Sequence, residues 1–356
     1  LLMLPISSRT GEFTSFADAL FTSTSAVCVT GLIVFDTATY WSLFGQFVIM
    51  LLIEIGGMGV ITVAASFAMI AGRKISLMQR STMQEAIAAP KVGGIVRLTI
   101  FVIKATLMIE LLGAVAMSPV FCRDFGIKGL WTALFHSVSA FCNAGFDLMG
   151  VKSPFSSLTF YADEPLINFP IMLLIIIGGI GFLTWDDIRA NRFHIHKYRM
   201  QSKVIISTTA ILILIPALYF YFFEFSDLGL KERIFSSLFQ SVTPRTAGFN
   251  TVDLTSMSEA GQFITIILML IGGSPGSTAG GMKTTTIAVL FAIAIATFRR
   301  REDANFFGRR INGDVLKNAA TVFLMYITLS GVGGLIISIT EDLPILTCLF
   351  EAASAV

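Results

Sequence analysis

Phe16 to Leu32 runs FADALFTSTSAVCVTGL. Twelve mildly apolar residues, Phe16 to Val27, lead into Cys28-Val29-Thr30-Gly31. Twelve residues of helix rise about 18 Å, too little for a hydrocarbon layer of about 30 Å. The next apolar stretch, Phe44 to Ile70, is long enough to cross. A short helix that stops at a glycine and turns back before a true span reads as a re-entrant loop. Such backbone persists at membrane depth only where it lines a watery cavity or is buried in protein.

The pattern returns. Leu134-Phe135 opens a second copy ending Phe141-Cys142-Asn143-Ala144-Gly145-Phe146, and Leu238-Phe239 a third ending Thr243-Pro244-Arg245-Thr246-Ala247-Gly248-Phe249. Leu349-Phe350 opens a fourth, which reaches Val356 before its glycine. Counted from each Leu-Phe pair, the glycine falls at +11, +11 and +10. A second register of glycines punctuates the outgoing spans: LLIEIGGMG, LLIIIGGIG and LMLIGGSPG. Each unit therefore reads span, short helix, glycine turn, span, at a period of about 105–115 residues, the signature of a repeat architecture. The expected units are 1–72 (end of a first span, loop, second span), 73–190, 191–300 with a broken second span, and 301–356 (first span and start of the loop). The first and last read as incomplete, with Leu1 to Ile6 resembling the tail of a helix.

Composition agrees. The chain is 54% hydrophobic and 13% charged over 356 residues, with mean hydropathy +0.79. Soluble domains carry about 25% charge, so a multi-span, all-helical membrane protein is the class that fits. Of the 25 Lys and Arg, well over half fall in three loops: 73–97, 185–203 and 299–317. The positive-inside rule places these loops in the cytoplasm. Glu12, Asp18, Asp36, Asp124, Asp163, Glu164, Asp227, Glu341 and Asp342 fall on the other side, where an acidic face concentrates cations. Basic residues that flank spans in this way do not suggest a nucleic-acid partner; they suit lipid headgroups or a docked protein. Tyr40, Trp41 and Trp131 suit the outer membrane interface.

The remaining spans are expected at Val96–Val120, Ile167–Leu183, Val204–Phe222, Phe263–Ala296 and Val315–Ile339. The fifth is interrupted by Gly272-Gly273-Ser274-Pro275-Gly276-Ser277-Thr278-Ala279-Gly280-Gly281, which cannot stay helical. Glu54 and Glu110 fall inside spans and need a partner or a wet cavity. Cys28, Cys122, Cys142 and Cys348 show no metal spacing; those on the short helices read as small buried hydrophobes.

A desolvated alkali ion needs a cage of oxygens. Backbone carbonyls supply one when the strand alternates direction, and glycine permits the positive φ this requires. Short helices aimed C-terminus first add partial negative charge. Three candidate walls are Cys28-Val29-Thr30-Gly31, Cys142-Asn143-Ala144-Gly145 and Arg245-Thr246-Ala247-Gly248. None of them contains a carboxylate, so K⁺ or Na⁺ is favoured over a divalent ion. One such turn would be an ordinary bend between helices; three in register are not. Arg245 beside a cation path is expected to point behind its strand and pair with Asp147 or Asp253. Gly276–Thr284 reads GSTAGGMKT, close to a phosphate-binding loop, but it follows an apolar span rather than a strand.

On the Gly31, Gly145 and Gly248 strings, above all Thr243 to Asn250, together with the Gly272–Gly281 break, the chain resembles the Trk/Ktr/HKT superfamily of potassium transporters, in its bacterial Ktr-type membrane subunit. The resemblance covers essentially the whole chain. It implies four pseudo-symmetric units of helix, pore loop and helix around one pore. It further implies passive, potential-driven K⁺ uptake through a carbonyl filter, with Gly in each wall marking K⁺ preference. The Gly272–Gly281 loop would be an intramembrane gate. K⁺ is then substrate rather than cofactor, with Na⁺ as the alternative ion or a co-requirement. A cytosolic ring of nucleotide-binding subunits, a homodimer of pores and a cell-membrane location are also implied. An intramembrane enzyme using Glu54, Glu110, His136 or a pore-loop Cys is the competing class. It lacks any visible nucleophile–base string, and His136 reads as a hydrogen-bonded structural residue.

Overall fold

The computed structural model describes residues 1–59, 62–63, 77–86, 94–192, 194–301 and 303–356. They form an all-helical membrane protein with one two-stranded hairpin, Asn305–Phe306 against Arg309–Arg310. The principal helices are α1 (Phe16–Cys28), α2 (Leu43–Met58), α3 (Ile95–Phe125), α4 (Lys128–Phe141), α5 (Pro165–Gly179), α6 (Phe182–Asn191), α7 (Met200–Tyr219), α8 (Leu230–Val242), α9 (Glu259–Leu270), α10 (Thr284–Phe298), α11 (Gly313–Glu341) and α12 (Ile345–Ala355). A helix also forms at Leu77–Ala86. Among the described residues, α3, Met200–Glu224 and α11 are long and apolar enough to cross a membrane, and the bent pair α5–α6 makes a fourth if taken as one span.

The four short helices are α1, α4, α8 and α12. Ser15 starts α1: its hydroxyl accepts the Asp18 N–H at 3.1 Å, satisfying one of the free donors of the first turn. Ser42 and Ser258 cap α2 and α9 in the same way. Proline at the first helical position starts α5. α2 and α5 each lie on the short helix of their unit through a glycine. A methyl added at Gly56 would overlap the Val27 carbonyl, and one at Gly178 the Phe141 carbonyl. The C-terminal ends of α1 and α4 are thus seated on bare backbone of α2 and α5. Gly56 and Gly178 of the second register make this contact.

Several expectations are corrected. Ile167–Leu183 is not one continuous helix: the helix stops at Gly179 and turns through 97° into α6. Gly181 takes φ +89° at the corner, and the Phe182 N–H leaves the ladder to donate to Gly276 at 2.7 Å. The span expected over Phe44–Ile70 is helical to Met58, ending at Gly59 with φ +82°; its remainder lies mostly outside the described residues, as do Arg73, Lys74 and Lys91 of the first basic loop. Leu1 to Ile6 is not helical at its start; a turn leads into a 3₁₀ helix at Pro5–Ser7. Trp41 is fully buried rather than interfacial. It pairs with Ser8 in a strand-like bridge, which tucks the indole against Gly45.

The largest apolar cluster draws on α1 to α6 and α8 and includes Phe121, Phe135, Phe141, Phe239 and Phe249. It buries most of α4 and much of α8, whereas α11 presents most of its surface outward: 11% of its apolar window is buried.

Candidate functional site

Each of α1, α4 and α8 ends in a turn of the same construction. Val29 and Gly31 have φ 59° and 73°, Asn143 and Gly145 56° and 72°, Thr246 and Gly248 65° and 80°. Thr30, Ala144 and Ala247 between them stay at negative φ. This left–right–left alternation turns successive carbonyls toward one side. Sequence reasoning anticipated positive φ at the three glycines only. It missed the residues two positions earlier, where a β-branched Val or Thr is a genuine outlier costing about 1–3 kcal/mol. The same strain at three equivalent positions points to a shared requirement of backbone direction.

The turns meet. A methyl at Gly31 would lie 2.7 Å from the Ala144 carbonyl oxygen, one at Gly145 2.8 Å from that of Ala247, and one at Gly248 3.2 Å from the Gly145 Cα. The second candidate wall therefore touches both the first and the third. A cavity of about 270 Å³ adjoins them, lined by Cys28 to Leu32, by Thr243, Pro244, Thr246 and Gly248, and by the C-terminal end of α12. Cys28 is exposed on this cavity rather than buried, because its turn faces α12 across open space. Cys142 is buried, packed against Gly57.

Hydroxyls hold the turns. Ser139 donates to the Phe146 carbonyl at 2.7 Å and Thr243 to that of Phe249 at 2.6 Å, while Thr30 donates to Ser25 at 2.9 Å. Backbone bonds repeat with them: Thr30 N–H to Ser25 (3.0 Å), Ala144 N–H to Ser139 (2.8 Å) and Gly248 N–H to Thr243 (3.4 Å). Ser25, Ser139 and Thr243 stand at the same place, five residues after the Leu of each Leu-Phe pair, and Ser354 occupies it in the fourth copy. This signal was present in the sequence and was overlooked.

The Gly272–Gly281 segment breaks the helix between α9 and α10 and lies directly against two of the turns. Thr278 Oγ1 donates to the Phe141 carbonyl at 2.8 Å and accepts from Asn143 Nδ2 at 2.9 Å. The Gly280 N–H donates to Thr246 Oγ1 at 3.1 Å. Behind it, Ser274 and Thr278 donate their N–H groups to Gly179 and Gly178 at 2.9 and 3.2 Å. Lys283 folds back, donating to the Ala279 carbonyl at 2.9 Å and that of Gly280 at 3.3 Å. With its N–H groups engaged this way, and no strand before it, the segment is not shaped as a phosphate cradle.

Arg245 departs from expectation. It is buried, and its Nη2 reaches Thr209 Oγ1 at 3.4 Å. No carboxylate among the described residues pairs with it. Asp147 accepts from the Met149 N–H at 2.8 Å, and Asp253 from the Thr255 N–H and hydroxyl at 2.9 and 2.7 Å. Both acids are taken up by turns of their own loops. The Thr255 bonds hold the Asp253 carboxyl below its ordinary range. His136 is fully buried; its Nδ1 lies 2.8 Å from the Thr132 carbonyl, and its Nε2 accepts the Leu148 N–H at 3.4 Å. Both ring nitrogens are occupied in structure. His194 and His196 are exposed in the loop after α6.

Short helices closed by repeated glycine turns, set among helices long and apolar enough to cross a membrane, mark the chain as a helical membrane protein. The sequence matches the family described as Cation transport protein, TrkH, over residues 3–356, and the chain belongs to that family. It is 43% identical over 351 residues to the potassium/sodium uptake protein NtpJ of Enterococcus hirae, covering 97% of this chain and 76% of that protein. It is 39% identical over 362 residues to the Ktr system potassium uptake protein B of Bacillus subtilis, covering 100% and 80%. The fold resembles the crystal structure of the potassium transporter TrkH from Vibrio parahaemolyticus, with a TM-score of 0.74 at 21% identity, over 96% of this chain and 69% of that one.

Proposed function

We propose that the chain carries K⁺ into the cell down the membrane potential. In this reading the carbonyls of Cys28 to Gly31, Cys142 to Gly145 and Arg245 to Gly248 form three walls of a selectivity filter. The observation that carries it is the contact of Gly145 with both Gly31 and Gly248, with positive φ at matched positions in each turn. Carbonyl oxygens replace the hydration shell of a monovalent ion without a fixed charge. The C-terminal ends of α1, α4 and α8 add partial negative charge there. The Gly272–Gly281 loop acts as the gate, a reading supported by its hydrogen bonds to the second and third turns.

The four units are 1–72, 73–190, 191–300 and 301–356. A cytosolic ring of nucleotide-binding subunits regulates the pore, and two copies pair in the membrane. The basic residues Arg299, Arg300, Arg301, Arg309 and Arg310, around the hairpin, are the docking surface offered to that ring. Na⁺ is the second reading, as an alternative ion or a co-requirement; it is favoured by the relative named a potassium/sodium uptake protein.

Flux of Rb⁺, K⁺ and Na⁺ into proteoliposomes carrying the full-length protein tests the reading. K⁺ and Rb⁺ are expected to enter well ahead of Na⁺ under an inside-negative potential. Equal entry of all three, or none, in well-folded protein overturns it.

A further inference from the structure

Behind the second turn lies a group of side chains that the pore does not use. Glu54 comes from α2, Glu110 from α3, and Cys142 from the end of α4. One carboxylate oxygen from each Glu and the Cys142 Sγ all lie within 4.8 Å of one another. The thiol donates to Glu54 Oε2 at 3.6 Å. Glu110 is 3% exposed, and its Oε1 has no hydrogen-bond partner; Glu54 Oε1 is likewise buried and unpartnered. No Lys, Arg or His among the described residues pairs with either carboxylate. Gly57 makes the room: a methyl there would lie 2.5 Å from the Cys142 Sγ.

We propose that Glu54, Glu110 and Cys142 form a binding site for a borderline divalent cation of the zinc class. Two carboxylates this close share a proton when no cation is present, and a divalent cation between them can take its place. Magnesium and calcium want six or more oxygens, whereas a thiolate with two carboxylates selects zinc-like ions. On binding, the Cys142 S–H and any carboxylic O–H release their protons to solvent. One metal–sulfur and two metal–oxygen bonds form, and nothing is oxidised or reduced. Glu54, only half-buried, gives the way in. The ion then ties Cys142 to α2 and α3 and immobilises the second turn. Metal binding stands on its own geometry; its effect on ion flux rests on reading that turn as a filter wall.

Cd²⁺ added to the full-length protein in detergent supplies the probe. A thiolate-to-cadmium ultraviolet band is expected, lost in Cys142→Ser and kept in Cys122→Ser. Glu110→Gln and Glu54→Gln, which leave the thiol in place, are expected to weaken binding by about tenfold or more. A band that survives Cys142→Ser, or undiminished affinity in both Gln variants, overturns the site. Rb⁺ flux into proteoliposomes is expected to fall several-fold with Cd²⁺ and to recover in Glu110→Gln. A saturated band with unchanged flux overturns the link to the turn while the metal site stands.

Discussion

Asn143 donates its side-chain amide to the hydroxyl of Thr278 at 2.9 Å, and that hydroxyl donates in turn to the Phe141 carbonyl at 2.8 Å. The second turn and the loop that breaks the third unit are thereby one hydrogen-bonded body. Thr278→Val removes both bonds and leaves two buried polar groups unpaired, at a cost of about 1–3 kcal/mol each. The loop loses its hold on the turn, so initial Rb⁺ flux is expected to rise several-fold. Removing Ser274 to Gly280 is expected to raise it further. Unchanged or lower flux in well-folded protein would make the loop a structural break rather than a gate.

Replacement of Gly145 or Gly248 by Ser tests the filter directly. Either change places a Cβ against backbone of the neighbouring turn, at a residue with φ 72° or 80°. Gly126 serves as the control, because it also has positive φ but nothing within reach of an added methyl. All three variants carry a positive-φ penalty, of about 1–3 kcal/mol. Only the first two are expected to lose discrimination of K⁺ over Na⁺, measured as relative flux under one imposed potential.

Gly178 and Gly179 are neighbours with opposite tolerances. A methyl at Gly178 overlaps the Phe141 carbonyl and sits 2.7 Å from Thr278 Oγ1, whereas one at Gly179 meets only the Ala279 Cβ at 3.9 Å. Overpacking of this kind costs about 1–3 kcal/mol. Gly178→Ala is expected to lower the thermal midpoint of the detergent-solubilised protein clearly, and Gly179→Ala to leave it near the unaltered value. Equal midpoints would remove the seat of α4 on α5 as a source of stability.

The short helices were legible because all four carry a Leu-Phe pair and three of them a glycine stop, too closely spaced for a span. The break at Gly272–Gly281 was legible because glycine and proline forbid a helix there. The 97° corner after Gly179 was not, because Ile177-Gly178-Gly179-Ile180-Gly181-Phe182 stays apolar throughout. What bends it is a bond to Gly276, ninety-odd residues away in the chain. Arg245 was misread for a similar reason. Its nearby acids look like partners in sequence, yet both are satisfied within their own loops. Positive φ at Val29 and Thr246 runs against the preference of β-branched residues, so no local rule would have placed it. The three glycine strings were legible in the sequence; the alternation of backbone hand along them came from the coordinates.

The hydroxyl five residues beyond each Leu offers the last test. Thr243 holds the carbonyl of Phe249 at 2.6 Å, and Ser139 that of Phe146 at 2.7 Å, each bond closing a turn just past its glycine. Thr243→Val keeps the shape and removes the donor, so the Phe249 carbonyl is left unpaired in a buried place, at about 1–3 kcal/mol. Thr243→Ser keeps the donor and loses one methyl. If the bond sets the direction of the turn, Thr243→Val relaxes K⁺ over Na⁺ discrimination and Thr243→Ser restores it, while both change stability only modestly. If the residue only fills space, the order reverses: Val, nearly the same size, behaves as the unaltered protein, and Ser, with its missing methyl, is the weaker variant. Relative K⁺ and Na⁺ flux measured beside the thermal midpoint of each variant separates the two cases.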